Sequence, residues 1–73
     1  MTNETTKLNK LSANIQKYRK QKGYSQNELA EILDISREHL AKLETAKRRI
    51  SLKLLFQLAD VLNVKERDLL DFD

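Results

Sequence analysis

The chain has no cysteine, no proline, no tryptophan and a single glycine. Without cysteine there is no disulfide staple and no thiolate metal site. An unstapled domain of this kind fits the reducing cytoplasm. No segment alternates hydrophobic and polar residues with a period of two, and proline is absent, so strands are not indicated. No apolar run approaches the ~20 residues of a membrane span. No hydrophobic stretch follows the charges of the N-terminus, which argues against a signal peptide. Histidine occurs once, at His39, and no Gly-rich loop or cluster with metal-ligand spacing accompanies it. Catalysis, a metal centre and a cofactor are therefore not expected, and no small-molecule site is evident.

What remains is a short, charged, helix-forming chain. Seventy-three residues make one domain. A domain of this size buries only about 60% of its unfolded surface, so its stability is modest. The net charge of +3 is mild, but its placement is uneven. Arg37, Lys42, Lys47, Arg48, Arg49 and Lys53 face only Glu38 and Glu44 between residues 36 and 53, a local excess of four positive charges. From Asp60 to Asp73 the balance reverses to three negative charges. A concentrated cationic segment is suited to a polyanion.

Hydrophobic spacing predicts five short helices, an all-α bundle. Residues 1–6 are polar and expected to be a disordered tail, and residues 7–73 the folded domain. Leu8, Leu11, Ile15 and Tyr18 recur at helical spacing, so a first helix is expected over Lys7 to Lys22. Gly23 follows it where a C-terminal cap requires positive φ. A second helix is expected from Gln26 to Leu33, burying Leu29, Ala30 and Leu33. Ser25 and Glu28 have the spacing of a capping box, in which hydroxyl and carboxylate reciprocally satisfy two backbone N–H groups. Asp34-Ile35-Ser36 forms the next turn, with Ser36 as N-cap of a third helix expected through Ala46. Lys47 to Ile50 is a loop, and Ser51 caps a fourth helix carrying Leu55, Leu58, Ala59 and Leu62. Asn63 is its expected stop. A fifth helix runs from Glu66 to Phe72, with Leu69 and Phe72 inward.

Two helices joined by so tight a turn cross steeply and leave the second one projecting. That is the geometry by which a helix enters the major groove of DNA. In the third helix, Leu40 and Leu43 fix the buried face. At roughly 100° per residue, Glu38, Ala41, Lys42 and Thr45 point away from it, with Arg37 to one side and His39 to the other. Arg37 and Lys42 can donate to guanine O6 and N7, and Glu38 can accept from cytosine N4. Ala41 offers a small apolar contact to a thymine methyl. Gln26 opens the second helix, where unpaired N–H groups and the helix dipole attract a phosphate.

The set Arg19, Gly23-Tyr24-Ser25-Gln26, Glu28-Leu29-Ala30, Ile35-Ser36, Leu40, Leu43-Glu44, Leu55, Leu58-Ala59 and Leu62 resembles the phage-repressor helix-turn-helix family, the Cro and lambda-repressor-like or XRE group. The resemblance spans about Leu11 to Leu70. It implies a lambda-repressor-like bundle of five helices and a sequence-specific DNA-binding transcriptional regulator, a repressor, dimeric on a palindromic double-stranded operator. It implies base contacts at Arg37, Glu38 and Lys42 and a backbone contact at Gln26; the outward wheel position adds Ala41 to the base contacts, and exposure and local charge add His39, Lys47, Arg48 and Arg49 as backbone contacts. It also implies a partly buried salt bridge between Arg19 and Glu44. The alternative is a protein-interaction or antitoxin-type module on the same fold, since fold does not fix function. The acidic, apolar C-terminal helix is the expected surface for self-association. Three positions depart from the family pattern: Asp34 and Ala46 stand where glycine is frequent, and Ile50 where proline is.

Overall fold

The computed structural model describes residues 3–71. Five helices follow in order: α1 (Asn3–Gln21), α2 (Gln26–Leu33), α3 (Arg37–Glu44), α4 (Leu52–Leu62) and α5 (Glu66–Leu69). No strand occurs among the described residues. All five helices contribute to one core. Its fully enclosed side chains are Ile15 of α1, Leu29 of α2, Leu40 and Leu43 of α3, Leu58 and Leu62 of α4, and Leu69 of α5. Burying a leucine fully is worth roughly 1.5–3 kcal/mol, so these few side chains carry much of the fold.

The caps set the helix starts. Ser25, Ser36 and Ser51 hold extended backbone, and each hydroxyl accepts from the N–H three residues on, in Glu28, His39 and Leu54. Glu28 accepts in turn from the Ser25 N–H at 2.8 Å. Its carboxyl is held below the usual glutamate range, first by that backbone N–H and then by the Ser25 side chain.

Four of the five helix ends, those of α1 to α4, share one device. Gly23, Asp34, Ala46 and Asn63 all take left-handed backbone, with φ of 80°, 58°, 58° and 55°. The residue after each donates its N–H back five positions: Tyr24 to Arg19, Ile35 to Ala30, Lys47 to Lys42 and Val64 to Ala59, at 2.9–3.1 Å. This is the Schellman closure, which satisfies the last helical carbonyls. Tyr24, Ile35 and Val64 also pack on the core, as the motif favours. Among these four, only the end of α3 lacks both the apolar follower and a residue type that tolerates left-handed backbone.

Three boundaries differ from the sequence expectation. α1 begins at Asn3, not Lys7, so Asn3 to Thr6 are helical where a tail was expected. Nothing in that stretch breaks a helix, and Glu4 in the first turn complements the dipole. Met1 and Thr2, the rest of the expected tail, lie outside the described residues. α3 stops at Glu44 and does not reach Ala46, because Ala46 turns left-handed although it has a Cβ. α5 stops at Leu69. There Asn14 of α1 donates to the carbonyls of Leu69 and Asp71, at 2.9 and 2.8 Å, and so ties the end of α5 and the residues after it to α1. Phe72 lies outside the described residues.

Candidate nucleic-acid interface

The third helix stands where two constraints meet. Leu40 and Leu43 root it in the core, and the turn through Asp34 sets its angle to α2. Aspartate accepts left-handed geometry better than most residues, so the turn closes without glycine. The opposite side of α3 faces solvent. Arg37, Glu38, Lys42 and Thr45 are exposed, and Ala41 and His39 are half-buried at the margins.

Within that outer stripe, Lys42 Nζ lies 3.5 Å from Glu38 Oε1. The glutamate precedes the lysine by four residues, the favourable order. Such an exposed pair is worth only about 0.3–0.5 kcal/mol, so parting it for better partners costs little. The Thr45 hydroxyl donates to the Ala41 carbonyl at 2.9 Å. It serves the helix end.

Behind the stripe lies a buried polar knot. Arg19 Nε donates to Glu44 Oε2 at 2.6 Å, and its Nη2 donates to Glu44 Oε1 at 3.1 Å. Its Nη1 donates to the Tyr24 carbonyl at 2.9 Å. The two residues are 7% and 5% exposed, so the pair is withdrawn from water. Gln26 completes the set, donating Nε2 to Glu44 Oε1 at 3.0 Å. Among the described residues, no buried side-chain polar atom is left without a partner. The knot joins α1, the start of α2 and the last residue of α3. It fixes the angle at which α3 leaves the body.

Gln26 is thus half-buried and turned toward Glu44. Its second amide hydrogen and its backbone N–H, in the first turn of α2, are the donors that remain for an anion. His39 leans over a shallow cleft shared with Asp34, Ile35, Ser51, Lys53 and Gln57. Lys47, Arg48 and Arg49 are all exposed in the loop after α3. Arg49 turns back to α1 and pairs with Glu4 at 2.7 Å. Lys47 and Arg48 make no ion pair among the described residues.

Two groups escaped the sequence reading. Asn14 pins the C-terminal end to α1, and its one signal was a polar residue within the stripe of Leu11, Ile15 and Tyr18. Glu4 had no such signal, because its partner Arg49 is remote in sequence. Among the described residues there is no cluster suited to a metal ion, and no helix is long and apolar enough to cross a membrane.

Residues 15–69 match the family model described as helix-turn-helix. The chain is 37% identical over 59 residues to an uncharacterised HTH-type transcriptional regulator of Archaeoglobus fulgidus, covering 81% of this chain and 84% of that protein. It is similar to the restriction-modification controller protein C.AhdI from Aeromonas hydrophila, with TM-score 0.80 and 31% identity over 85% of this chain and 94% of the other. It is also similar to SinR, described as the master regulator for biofilm formation and solved in complex with DNA. There the TM-score is 0.77 and the identity 35%, over 84% and 98% of the two chains.

Proposed function

We propose that this chain, which belongs to the helix-turn-helix family and is a DNA-binding transcriptional regulator, acts as a repressor with α3 laid in the major groove of a palindromic operator. The observation that carries this reading is the outer stripe of α3. Arg37, Glu38 and Lys42 are exposed together on the second helix of the motif, beside a half-buried Ala41. A helix made to dock on protein would present leucine, methionine or aromatic side chains there. Arg37 and Lys42 donate to guanine edges, Glu38 accepts from cytosine, and Ala41 meets a thymine methyl.

Phosphates are held from the flanks. Gln26 offers its remaining donors at the start of α2, while Lys47 and Arg48 follow the backbone beyond α3. His39 and Arg49 are the outer contacts, and Arg49 must leave Glu4 to make its own. These contacts set register and affinity without reading sequence. One reading helix covers only a few base pairs, so two copies bind half-sites about 34 Å apart. A chain that acts on DNA and has no cysteine belongs with the chromosome in the cytoplasm.

Selection of bound duplexes from a random pool, followed by titration of the best one at two salt concentrations, tests the reading. Enrichment of an inverted repeat is expected. Affinity should fall steeply with salt, with a log–log slope near −0.9 per phosphate neutralised. Failure to enrich any duplex, or affinity indifferent to salt, overturns it.

A further inference from the structure

The reading surface leaves the outer side of α4 without a task. Leu52 is 68% exposed and Phe56 49% exposed, one turn apart on the same side. Their helix buries Leu55, Leu58 and Leu62 on the other side. At roughly 100° per residue, Leu52, Phe56, Asp60 and Lys53 fall within a sector of about 100°. The apolar pair is therefore bordered along one edge by a cation near the start of the helix and an anion near its end. Lys53 and Asp60 are exposed, and neither forms an ion pair among the described residues.

The order of these residues is self-complementary. Lys53 precedes Phe56 by three positions, and Asp60 follows Gln57 by three. A two-fold axis perpendicular to α4, passing beside it at the level between Phe56 and Gln57, brings a second α4 alongside and exchanges the levels of Lys53 and Asp60. Each cation then lies opposite the anion of the second copy, twice per contact, with Phe56 at the centre. An isologous interface requires such a patch, since one surface must serve both partners. Like charges facing each other would reject the parallel arrangement.

We infer that two copies of this chain associate through α4 packed antiparallel on itself, with Phe56 in the dry centre, Leu52 at each end and reciprocal Lys53–Asp60 pairs along its edge. The inference rests on the proposed reading of a dimer on two half-sites and names the face that joins it. The C-terminal end is the poorer surface. α5 is one turn long and Leu69 is spent on the core. Leu70 opens onto a groove with Leu8 and Ile50; of its three lining charges, Glu4 and Arg49 pair with each other and Lys7 is a lone sign, with no further anion in the lining to make the patch self-complementary.

Sedimentation of the full chain across concentration, without DNA, tests the face independently of operator reading. The wild type should pass from monomer to dimer. Lys53→Asp sets carboxylate against carboxylate in both pairs, and Asp60→Lys sets ammonium against ammonium. Each should weaken self-association by about tenfold or more while leaving the helical circular-dichroism spectrum unchanged. An equimolar mixture of the two variants should associate more strongly than either alone, because both junctions of the mixed contact then set a carboxylate against an ammonium. The double variant, Lys53→Asp with Asp60→Lys, exchanges them within one chain and should dimerise as the wild type does. A wild type that stays monomeric throughout overturns the inference. So does dimerisation unchanged by either single variant, or a double variant that stays monomeric. Binding of the wild type to the selected duplex is measured separately. If the dimer forms and no duplex binds, the DNA reading fails and the interface stands.

Discussion

Helix α3 carries two glutamate–cation pairs that differ in almost everything except chemistry. Glu44 at its end meets Arg19 with both carboxylate oxygens, accepts a third hydrogen bond from Gln26, and is 5% exposed. Glu38 near its start meets Lys42 at 3.5 Å, and its side chain is 82% exposed. The buried pair is geometrically fixed and costly to disturb, because an orphaned charge in the interior has no water to turn to. The exposed pair is loose and cheap to part, because water replaces either partner. One helix therefore separates two duties by side: its inner end holds the angle of α3, and its outer stripe stays available for other acceptors and donors.

The largest expected effect lies with the buried pair. Glu44→Ala leaves the Arg19 guanidinium buried and without its carboxylate, and should cost roughly 3–5 kcal/mol. A domain this small rarely has more than that to lose. Chemical denaturation followed by circular dichroism should show a largely unfolded chain in dilute buffer. Replacing both partners, Arg19→Met with Glu44→Leu, should be less damaging than either single change, since no charge is then stranded. A Glu44→Ala variant with an unaltered midpoint would mean that the knot holds nothing in place.

The exposed pair should behave in the opposite way. Lys42→Ala should leave the unfolding midpoint within about 0.5 kcal/mol of the wild type. On the best selected duplex it should cost roughly 1–3 kcal/mol, relax preference at one base step, and leave binding to random DNA nearly unchanged. If site preference survives intact, Lys42 does not read bases. Loss of stability instead would place Lys42 with the buried pair.

Between these lies the end of the helix that bears both pairs. Ala46 holds φ 58° with a Cβ in place, and Gly23 holds φ 80° without one. Left-handed backbone costs an L-residue roughly 1–2 kcal/mol. Ala46→Gly should thus stabilise by about 1 kcal/mol after its own entropic cost, and raise the melting temperature by roughly 4–8 °C. Gly23→Ala should destabilise, though nothing within 4 Å would crowd the added methyl. Melts that move the same way for both variants would show that backbone conformation is not the deciding factor.

This helix end also shows where the sequence stops being legible. The leucine spacing and three serine caps specify α2, α3 and α4 at their starts, because local hydrogen bonds and one buried stripe decide those positions. The outward direction of Arg37, Glu38 and Lys42 follows from Leu40 and Leu43 alone. The stop of α3 does not, because Ala46 carries no local preference for left-handed backbone and Lys47, whose N–H closes the turn, is exposed and adds no apolar signal. Nor is the anchoring of the short α5 legible, since Asn14, far before Leu69 in the chain, donates to the Leu69 carbonyl only once the fold has brought α1 beside it. The Glu4–Arg49 pair is illegible for the same reason, since only the fold brings α1 to the loop after α3.

A third glutamate sits between the two extremes and gives the smallest expected effect. Glu28 is exposed like Glu38, yet it is tied to the chain like Glu44, accepting the Ser25 backbone N–H. That hydrogen bond, more than the Ser25 side chain, holds its pKa below the ordinary value in the folded state. A carboxylate with a lowered folded pKa contributes stability above its unfolded pKa, about 4.3, and loses it as pH falls through the folded value. Glu28→Gln keeps an acceptor for the same N–H but cannot titrate. At pH 7 the variant should be slightly less stable than the wild type, and the gap should close as the pH is lowered to about 3. Urea midpoints of both proteins across that range measure it. Parallel curves would mean that the capping box works through geometry alone, and that charge separates only the other two glutamates.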